Sequence, residues 1–468
     1  MMLGFLLGIG MAHTYPICTG YVVSSLMFFV LAGLRRRSLI GLGILMLFGF
    51  SFGWWRGSVY MHRLADYAQY YGHPVIIRVI AQEDAIYGSR SQLTFHGRRL
   101  IVNNGQRLNG RITISGFGAR AVFAGDEIEV SGKLRSGYGA YQGTLSFATL
   151  TVLSHHNSLI NETRRRFAAG MQSALPEPLA SFAMGLLVGQ RATLPVQVKQ
   201  DLLMVGLTHI IAVSGYNLTI ILQASKRLFA KQSKRIAVGL SLGLIIVFLA
   251  LAGASASIVR AAIVSTLSIV TNFYGRSMPP LNLIVIAAAI TAWANPVYVW
   301  SDISWYLSFL AFFGVMVLAP LISERLRFKH KDSVLVAVAI ESICAETMSL
   351  PIVLYIFGQM SLIGLPANVL VVALVPLAML LSLFAGLAGL LAPTLAGWIA
   401  WPAKALLNYM LDISHLLANL PHIFIENLAL PLGQMLIWYA GILAFVAALW
   451  FKSETRSAIL TDVNDELY

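Results

Sequence analysis

Polar side chains interrupt a long apolar part of the sequence, most densely in the stretch from Thr208 to Asn217 (THIIAVSGYN). Polar groups are costly inside a membrane, so they usually line a wet path or hydrogen-bond to neighbouring helices. Ser214 and Gly215 could break a helix, which is tolerated where the backbone lines a cavity. Both uses stay open. A hydrolase built on His209 and Ser214 is disfavoured, because no G-x-S-x-G motif surrounds the serine.

Other apolar runs also contain ionisable side chains at helical spacing. Ser257 and Arg260 share a helical face. The arginine could extend to lipid headgroups or bind a phosphate with two hydrogen bonds. Glu346 forms a stripe with Ser342 and Ser349, for which a structural ion pair, proton transfer and an aqueous lumen are all open explanations. We interpret the following residues as lining a pathway: His209, Ser214, Gly215, Asn217, Ser257, Arg260, Glu346 and Asn368.

A more polar stretch, residues 71–152, has a basic excess of nine Lys or Arg over five Asp or Glu. Basic grooves with aromatic rings bind single-stranded nucleic acid. We assign DNA binding to Arg90, Arg98, Arg99, Arg107 and Arg111. The rings available for base stacking are Phe95, Phe117, Tyr138 and Tyr141. A domain whose arginines are merely solvated is an equally acceptable interpretation.

The composition of the chain indicates what kind of protein positions these residues. The 468-residue chain is 57% hydrophobic and 11% charged, with a net charge of +13, whereas soluble domains carry about 25% charged residues. These values exclude a fully soluble protein and a disordered one, and they indicate a polytopic membrane protein. Basic clusters at residues 35–37, 226–235 and 325–331 separate apolar runs and are expected in the cytoplasm. Residues 56–156 are then outside.

The outer segment is predicted to form strands, because short apolar runs alternate with turn residues. The predicted strands are Val75–Ala81, Ser91–Phe95, Arg111–Ser115, Glu127–Leu134 and Gly143–Val152. Five short strands fit a small barrel, for which the OB-fold is the commonest candidate. The predicted fold is a polytopic α-helical membrane protein with an inserted extracytoplasmic five-stranded OB-like β-barrel domain.

The predicted domain organisation has five parts. They are N-terminal membrane segments (1–55), the OB-like domain (56–156), amphipathic and short helices (157–208), a multi-span channel domain (209–451) and a polar tail (452–468). Residues 17–34 and 39–55 are the spans predicted within the first part. Residues 362–391 are too long for one untilted span and contain two prolines, so a broken helix or a hairpin is expected there.

Motifs for bond-making chemistry are missing from the sequence. It contains no G-x-x-x-x-G-K-[ST] loop and no clustered His/Asp set, and its two cysteines lack zinc-site spacing. We therefore expect no enzymatic activity, no catalytic residue, no metal and no cofactor in this chain. Transport through it would be driven from elsewhere.

Several segments resemble, in chain order, the signature of the ComEC family of competence proteins. GLLVGQR at 185–191 and LTHIIAVSG at 207–215 resemble the family's G-L-L-x-G-x-R and G-L-x-H-L-L-A-I-S-G motifs. SIVRA at 257–261, DISWYLSF at 302–309 and the proline-to-asparagine run at 351–368 are similar to three further segments. The chain departs from the family at Asn217, where many members have histidine, and at Ser304 and Trp305, which replace Gly-Phe.

This resemblance implies a multi-pass channel of the bacterial inner (cytoplasmic) membrane that passes single-stranded DNA into the cytoplasm during natural transformation. The implied partners are single-stranded DNA, membrane lipid, a DNA-receptor protein outside and a cytoplasmic helicase or translocase; a homo-oligomer is left open. Many members carry a C-terminal metallo-β-lactamase-like nuclease domain, and we expect the form without it. The competing hypothesis is a polytopic transporter or membrane assembly scaffold for a non-DNA substrate, and Glu341 and Glu346 would suit proton coupling.

Overall fold

A computed structural model describes most of the chain. The described residues are 1–16, 39–82, 85–87, 92–119, 121–137, 141–155, 159–190, 194–211, 218, 221–222, 231–252, 256–276, 278–325 and 334–451. The predicted span at 17–34 lies outside them. The chain divides into two compact units, residues 1–161 with 285–306, and residues 162–284 with 307–468. Each unit is described by itself.

The first unit contains a closed five-stranded barrel. Its strands are β1 Pro74–Ala81, β3 Leu93–Val102, β4 Arg107–Phe117, β5 Glu127–Ser136 and β6 Gly143–Ser154, with a short β2, Ile86–Tyr87, paired to β3. The order is β1-β5-β6-β4-β3, and β3 pairs back to β1. The β4–β6 pair is parallel and the other pairs are antiparallel. The five predicted strands are confirmed, with β3 and β4 longer than expected.

Alternation of side chains builds the barrel core, because successive residues of a strand point to opposite faces. Ile77, Ile112 and Leu145 are fully buried. Two of the bulges that interrupt this alternation lie in or beside strands β3 and β4. One lies between Arg98 and Leu100, with Arg99 at φ 54°, and the other lies where β4 pairs with β6, with Phe147 at φ 57°. Each bulge inserts an extra residue that the barrel turns outward.

Two helices of this unit, α1 Met2–Thr14 and α2 Leu39–Ala65, pack with their backbones in contact. A Cβ atom added to Gly53 would clash with the carbonyl oxygen of Phe5, and one added to Gly8 would clash with that of Phe50. Met1 lies beside Gly49 as Phe5 lies beside Gly53, so the helices run parallel. Small residues permit this close approach, as in membrane helix pairs.

The C-terminal end of α2 joins the barrel core. Leu64 packs against that core, and Tyr67 is fully buried within it. The Tyr67 hydroxyl donates a hydrogen bond to the carbonyl oxygen of Asn109 (3.0 Å), and the Tyr71 hydroxyl donates one to that of Gln142 (2.6 Å). The helix is therefore fixed to β4 and to the β5–β6 connection.

The remainder of the chain is helical. The helices are α3 Leu159–Ala174, α4 Leu179–Val188, α5 Val196–Met204, α6 Lys234–Ala252, α7 Ala256–Phe273, α8 Pro280–Ala294, α9 Val297–Ser301, α10 Ile303–Phe313, α11 Ala319–Arg325, α12 Val334–Phe357, α13 Gly364–Val371, α14 Val375–Leu391, α15 Pro393–Ile399, α16 Trp401–Ala418 and α17 Leu432–Phe451. A π-helical turn, Gly314–Leu318, joins α10 to α11. Two short strands, β7 Met360–Ser361 and β8 Phe424–Ile425, pair antiparallel.

Within the described residues, four helical stretches are long and apolar enough to cross a membrane. They are Ile303–Arg325, Val336–Phe357, Gly364–Leu391 and Leu432–Trp450. The third is interrupted by a 3₁₀ turn, Val372–Leu374, just before Pro376. The expected break is therefore present, because proline lacks the N–H that a continuous helix needs. The protein is a helical membrane protein with a barrel domain.

Candidate nucleic-acid interface

The outward surface of β3 and β4 carries most of the predicted DNA-binding arginines. Leu108, Ile112 and Ile114 point into the core, so Arg107 and Arg111 point outward. We call the outward side chains of these two strands, together with the bulged Arg99, the arginine face. Neither strand contains an acidic residue, although together they hold four arginines.

Two of these arginines are direct neighbours across the strands. Arg98 pairs in register with Arg111, and like charges at such positions repel each other. The bulge that follows Arg98 leaves both Arg98 and Arg99 exposed. Arg99 has a left-handed backbone conformation, which is strained for a residue with a side chain. A bound anion would offset the repulsion, so the geometry favours an anionic ligand.

An aromatic pair adjoins the arginines. The His96 and Tyr141 rings stack with centroids 4.1 Å apart and an interplanar angle of 17°. The Thr113 hydroxyl lies 3.3 Å from His96 Nδ1, within hydrogen-bonding distance. Burial, together with the charge of Arg111, lowers the pKa of His96 to about 4. The imidazole is therefore neutral at physiological pH and contributes a flat ring rather than a charge.

This low pKa makes barrel stability depend on pH. Unfolded His96 binds its proton near pH 6.5, whereas the folded barrel resists protonation until about pH 4. The unfolded state therefore binds more protons in that window, and the unfolding free energy falls as pH falls. For residues 64–156, which contain the barrel core, we expect a loss on the order of 2 kcal/mol across this range. Urea unfolding followed by circular dichroism measures it. An equal loss in His96→Gln would show that another group is responsible.

The rings predicted for stacking differ in their exposure. Phe117 is 43% exposed at the end of β4. The prediction for Phe95 is wrong, because its side chain points inward between Leu93 and Gly97 and is 1% exposed. Tyr138 and Arg90 lie outside the described residues.

Phe147 is an outward-facing ring that the sequence analysis missed. It is 66% exposed because the bulge in β6 reverses its direction. Simple alternation from Leu145 would have placed it in the core, so no sequence signal identified it.

The basic side chain of β1 has an acidic partner on β5, unlike those of the arginine face among the described residues. Arg78 on β1 and Glu129 on β5 form an ion pair at 3.4 Å. The buried Asp126 accepts a hydrogen bond from the backbone N–H of Phe123, and its carboxylate lies 3.0 Å from His155 Nδ1. The unbalanced positive charge of the barrel is thus concentrated on the arginine face.

Predicted pathway residues of the second unit converge around Gly364. His209 Nδ1 lies 3.2 Å from the carbonyl oxygen of Gly206. A Cβ atom added to Gly206 would lie 3.4 Å from Ser361 Cβ, and one added to Gly364 would lie 3.4 Å from Glu346 Oε1. Three segments that are distant in sequence therefore meet at a polar cluster, which we call the Gly364 cluster.

Asn368 is placed one turn after Gly364 on α13. Its Oδ1 atom and the Ser361 Oγ atom are buried without a hydrogen-bond partner among the described residues. Such atoms are rare in folded proteins, and water or a passing polar ligand can satisfy them. This chemistry suits the lining of a hydrated path.

Arg260 and Ser257 form a second group, on α7. Arg260 is 3% exposed, and its guanidinium carbon lies 5.7 Å from the Phe309 ring centroid on α10. This cation–π contact and the burial disfavour an arginine that extends to lipid headgroups. Ser214, Gly215 and Asn217 lie outside the described residues. In the described part of the chain, no three His, Cys, Asp or Glu side chains converge to hold a metal ion.

Comparison with known proteins identifies the family. The sequence model of the competence proteins matches residues 186–452, which is more than half of the chain. The chain belongs to the ComEC family of competence proteins. Within the competence family, ComE operon protein 3 of Bacillus subtilis (strain 168) is 25% identical to it over 211 residues. That match covers 45% of this chain but only 26% of the relative. No solved structure matches the chain.

The family match includes both groups of predicted pathway residues. Arg260 and the Gly364 cluster lie inside residues 186–452, whereas the barrel precedes them. The barrel must be interpreted from its own geometry.

Proposed function

We propose that this competence protein is a multi-pass channel of the bacterial inner membrane that passes single-stranded DNA into the cytoplasm during natural transformation. The observation that carries the proposal is the arginine face, an unbalanced cationic surface in the same chain as the competence-family membrane segment. Single-stranded DNA offers phosphates for the guanidinium groups and bases for the exposed rings.

The strand order of the barrel supports an OB-like assignment. Around the barrel, its five long strands are hydrogen-bonded in the order β1-β3-β4-β6-β5-β1, and one pair, β4–β6, is parallel. OB-folds bind oligonucleotides on their second and third strands and on the loops beside them. Here those strands are β3 and β4, and Tyr141 comes from the connection between β5 and β6. The arginine face therefore coincides with the surface that such a barrel would use.

The membrane part would supply the wet path that a polyanion needs. Hydrocarbon cannot solvate phosphates, so polar groups must line the route. The Gly364 cluster and Arg260 are the candidates for this lining. A DNA-receptor protein outside and a cytoplasmic helicase or translocase would deliver and pull the strand. The proposal assigns no enzymatic step to this chain.

Binding of single-stranded DNA to residues 64–156 tests the role of the barrel. The double variant Arg98→Gln/Arg111→Gln removes two phosphate ligands, so affinity should fall similarly for all sequences. The slope of log K against log salt should fall by about 0.7 for each lost contact. Fluorescence anisotropy at several salt concentrations measures both quantities. Arg78→Gln is the matched control and should change neither, because the wild-type side chain is already paired with Glu129. An unchanged slope in the double variant would show that DNA phosphates do not bind to this surface.

A further inference from the structure

The end of α2 nearest the barrel carries a basic and aromatic stripe that the proposed function does not yet use. Arg56, Tyr60 and Arg63 are spaced by four and three residues and share one face of the helix. The guanidinium carbon of Arg56 lies 5.7 Å from the Tyr60 ring centroid and 5.3 Å from that of Trp293. The arginine is thus held between two rings.

Further rings hold this arrangement in place. Trp293 stacks on Phe52 with ring centroids 5.1 Å apart. The rings of Tyr60 and Trp300 meet edge to face, with centroids 6.1 Å apart. The Trp300 indole N–H donates a hydrogen bond of 2.8 Å to the carbonyl oxygen of Ile9. Because Tyr60 is only 9% exposed, its role is to position Arg56 rather than to stack on a ligand.

The arginine face of the barrel extends toward this stripe. Tyr67, just beyond α2, is hydrogen-bonded to Asn109 of β4. Arg111 is two residues further along β4 on the same outward side, about 7 Å away along an extended strand. Burial raises the pKa of Tyr60, and the charges of Arg56, Arg111 and Arg63 lower it. The face shared by Arg56 and Arg63, and the hydrogen bond from Tyr67 to Asn109 two residues before Arg111, bring the three arginines to one region of this unit.

These three arginines have no ion-pair partner among the residues that the structure describes. Within the described residues, no carboxylate lies within 4.0 Å of the guanidinium groups of Arg56, Arg63 or Arg111. Three like charges around a buried ring repel one another, and an anion placed between them would reduce that repulsion.

We propose that Arg56, Arg63 and Arg111 form a phosphate-binding site that receives the backbone of a single DNA strand as it leaves the arginine face. This site rests on the proposed function, because it extends the route from the barrel toward α2. Its ligand is a phosphodiester of DNA rather than of lipid, since Arg111 pairs with Arg98 and makes the site continuous with the arginine face. Arg63 is exposed and accessible to such a strand.

The full chain in nanodiscs of neutral phosphatidylcholine tests this site with a fluorescent oligothymidylate as the probe. Arg63→Gln and Arg56→Gln should each weaken binding and reduce the slope of log K against log salt by about 0.7. Arg78→Gln, whose wild-type side chain pairs with Glu129, is the control and should behave as wild type. Arg56→Gln could fail to fold, because the Tyr60 and Trp293 rings lose the guanidinium between them. In that case the salt dependence of Arg63→Gln, a change at an exposed residue, tests the site by itself.

The outcomes separate this site from the proposed function. If the unaltered protein binds no DNA, the proposed function and the site both fail. If Arg98→Gln lowers the slope but Arg63→Gln does not, only the site at α2 is overturned. A third result would also overturn it: Arg63→Gln retains less phosphatidylglycerol in mixed nanodiscs, measured by mass spectrometry, with an unchanged DNA slope. The arginines would then bind a lipid headgroup.

Discussion

Deleting the gene is expected to reduce transformation to the detection limit while DNA still accumulates at the cell surface. The physical reason is the cost of moving phosphates through hydrocarbon, which amounts to tens of kcal/mol for unpaired charges. No spontaneous crossing can compensate for the loss of a hydrated route. Counting transformants from marked DNA measures entry, and labelled DNA retained on washed cells measures surface uptake.

Complementation of the deletion strain with variants tests which residues are needed for DNA entry. The intact gene and the Arg78→Gln variant should both restore transformants. The Arg98→Gln/Arg111→Gln variant should restore fewer, because the strand is captured less well at the barrel. Normal transformation in the deletion strain would exclude the channel role altogether.

Gly53→Leu is expected to be strongly destabilising through the contact between α1 and α2. The added Cβ would clash with the carbonyl oxygen of Phe5, which is a backbone atom and cannot rotate away. The helices would have to separate, at a cost of about 3 kcal/mol or more, the upper range for overpacking. The thermal midpoint of the purified protein in detergent should fall by several degrees.

Gly43→Leu on the same helix is the matched control. A Cβ atom at Gly43 meets no atom within 4 Å, and leucine favours a helix over glycine by roughly 0.5–1 kcal/mol. The control should therefore be as stable as wild type or slightly more so. Equal melting of both variants would show that α1 and α2 are not in backbone contact.

The barrel strands could be predicted from the sequence because water imposes a simple pattern on them. One face of each strand must be buried, so apolar residues such as Ile112 and Ile114 alternate with polar ones. Turn residues then mark the strand ends. The same pattern, followed strictly, would also have shown that Phe95 points inward with Leu93.

The bulges could not be predicted, and they determine part of the candidate site. Arg99 and Phe147 are exposed because each is an extra residue in its strand. An insertion of one residue depends on how neighbouring strands pair, and that information is not local.

The packing of the helices against one another could not be predicted from the sequence either. Hydropathy identifies apolar stretches but not the face on which they meet. Gly206, Glu346 and Gly364 converge from segments far apart in sequence. A carboxylate in an apolar run marks Glu346 as unusual in the sequence. That it lies near Gly206 and Gly364 can be seen only in the folded structure.

The burial of Tyr67 in the barrel has a mechanical consequence. The 27 residues of α2 span about 40 Å, whereas the hydrocarbon core of a bilayer is about 30 Å thick. A helix of this length exceeds that thickness, and the buried Tyr67 just beyond its C-terminal end fixes it to the barrel. If the proposed function holds, a force on a strand bound at the arginine face would be transmitted through Tyr67 to α2, and through the backbone contact at Gly53 to α1.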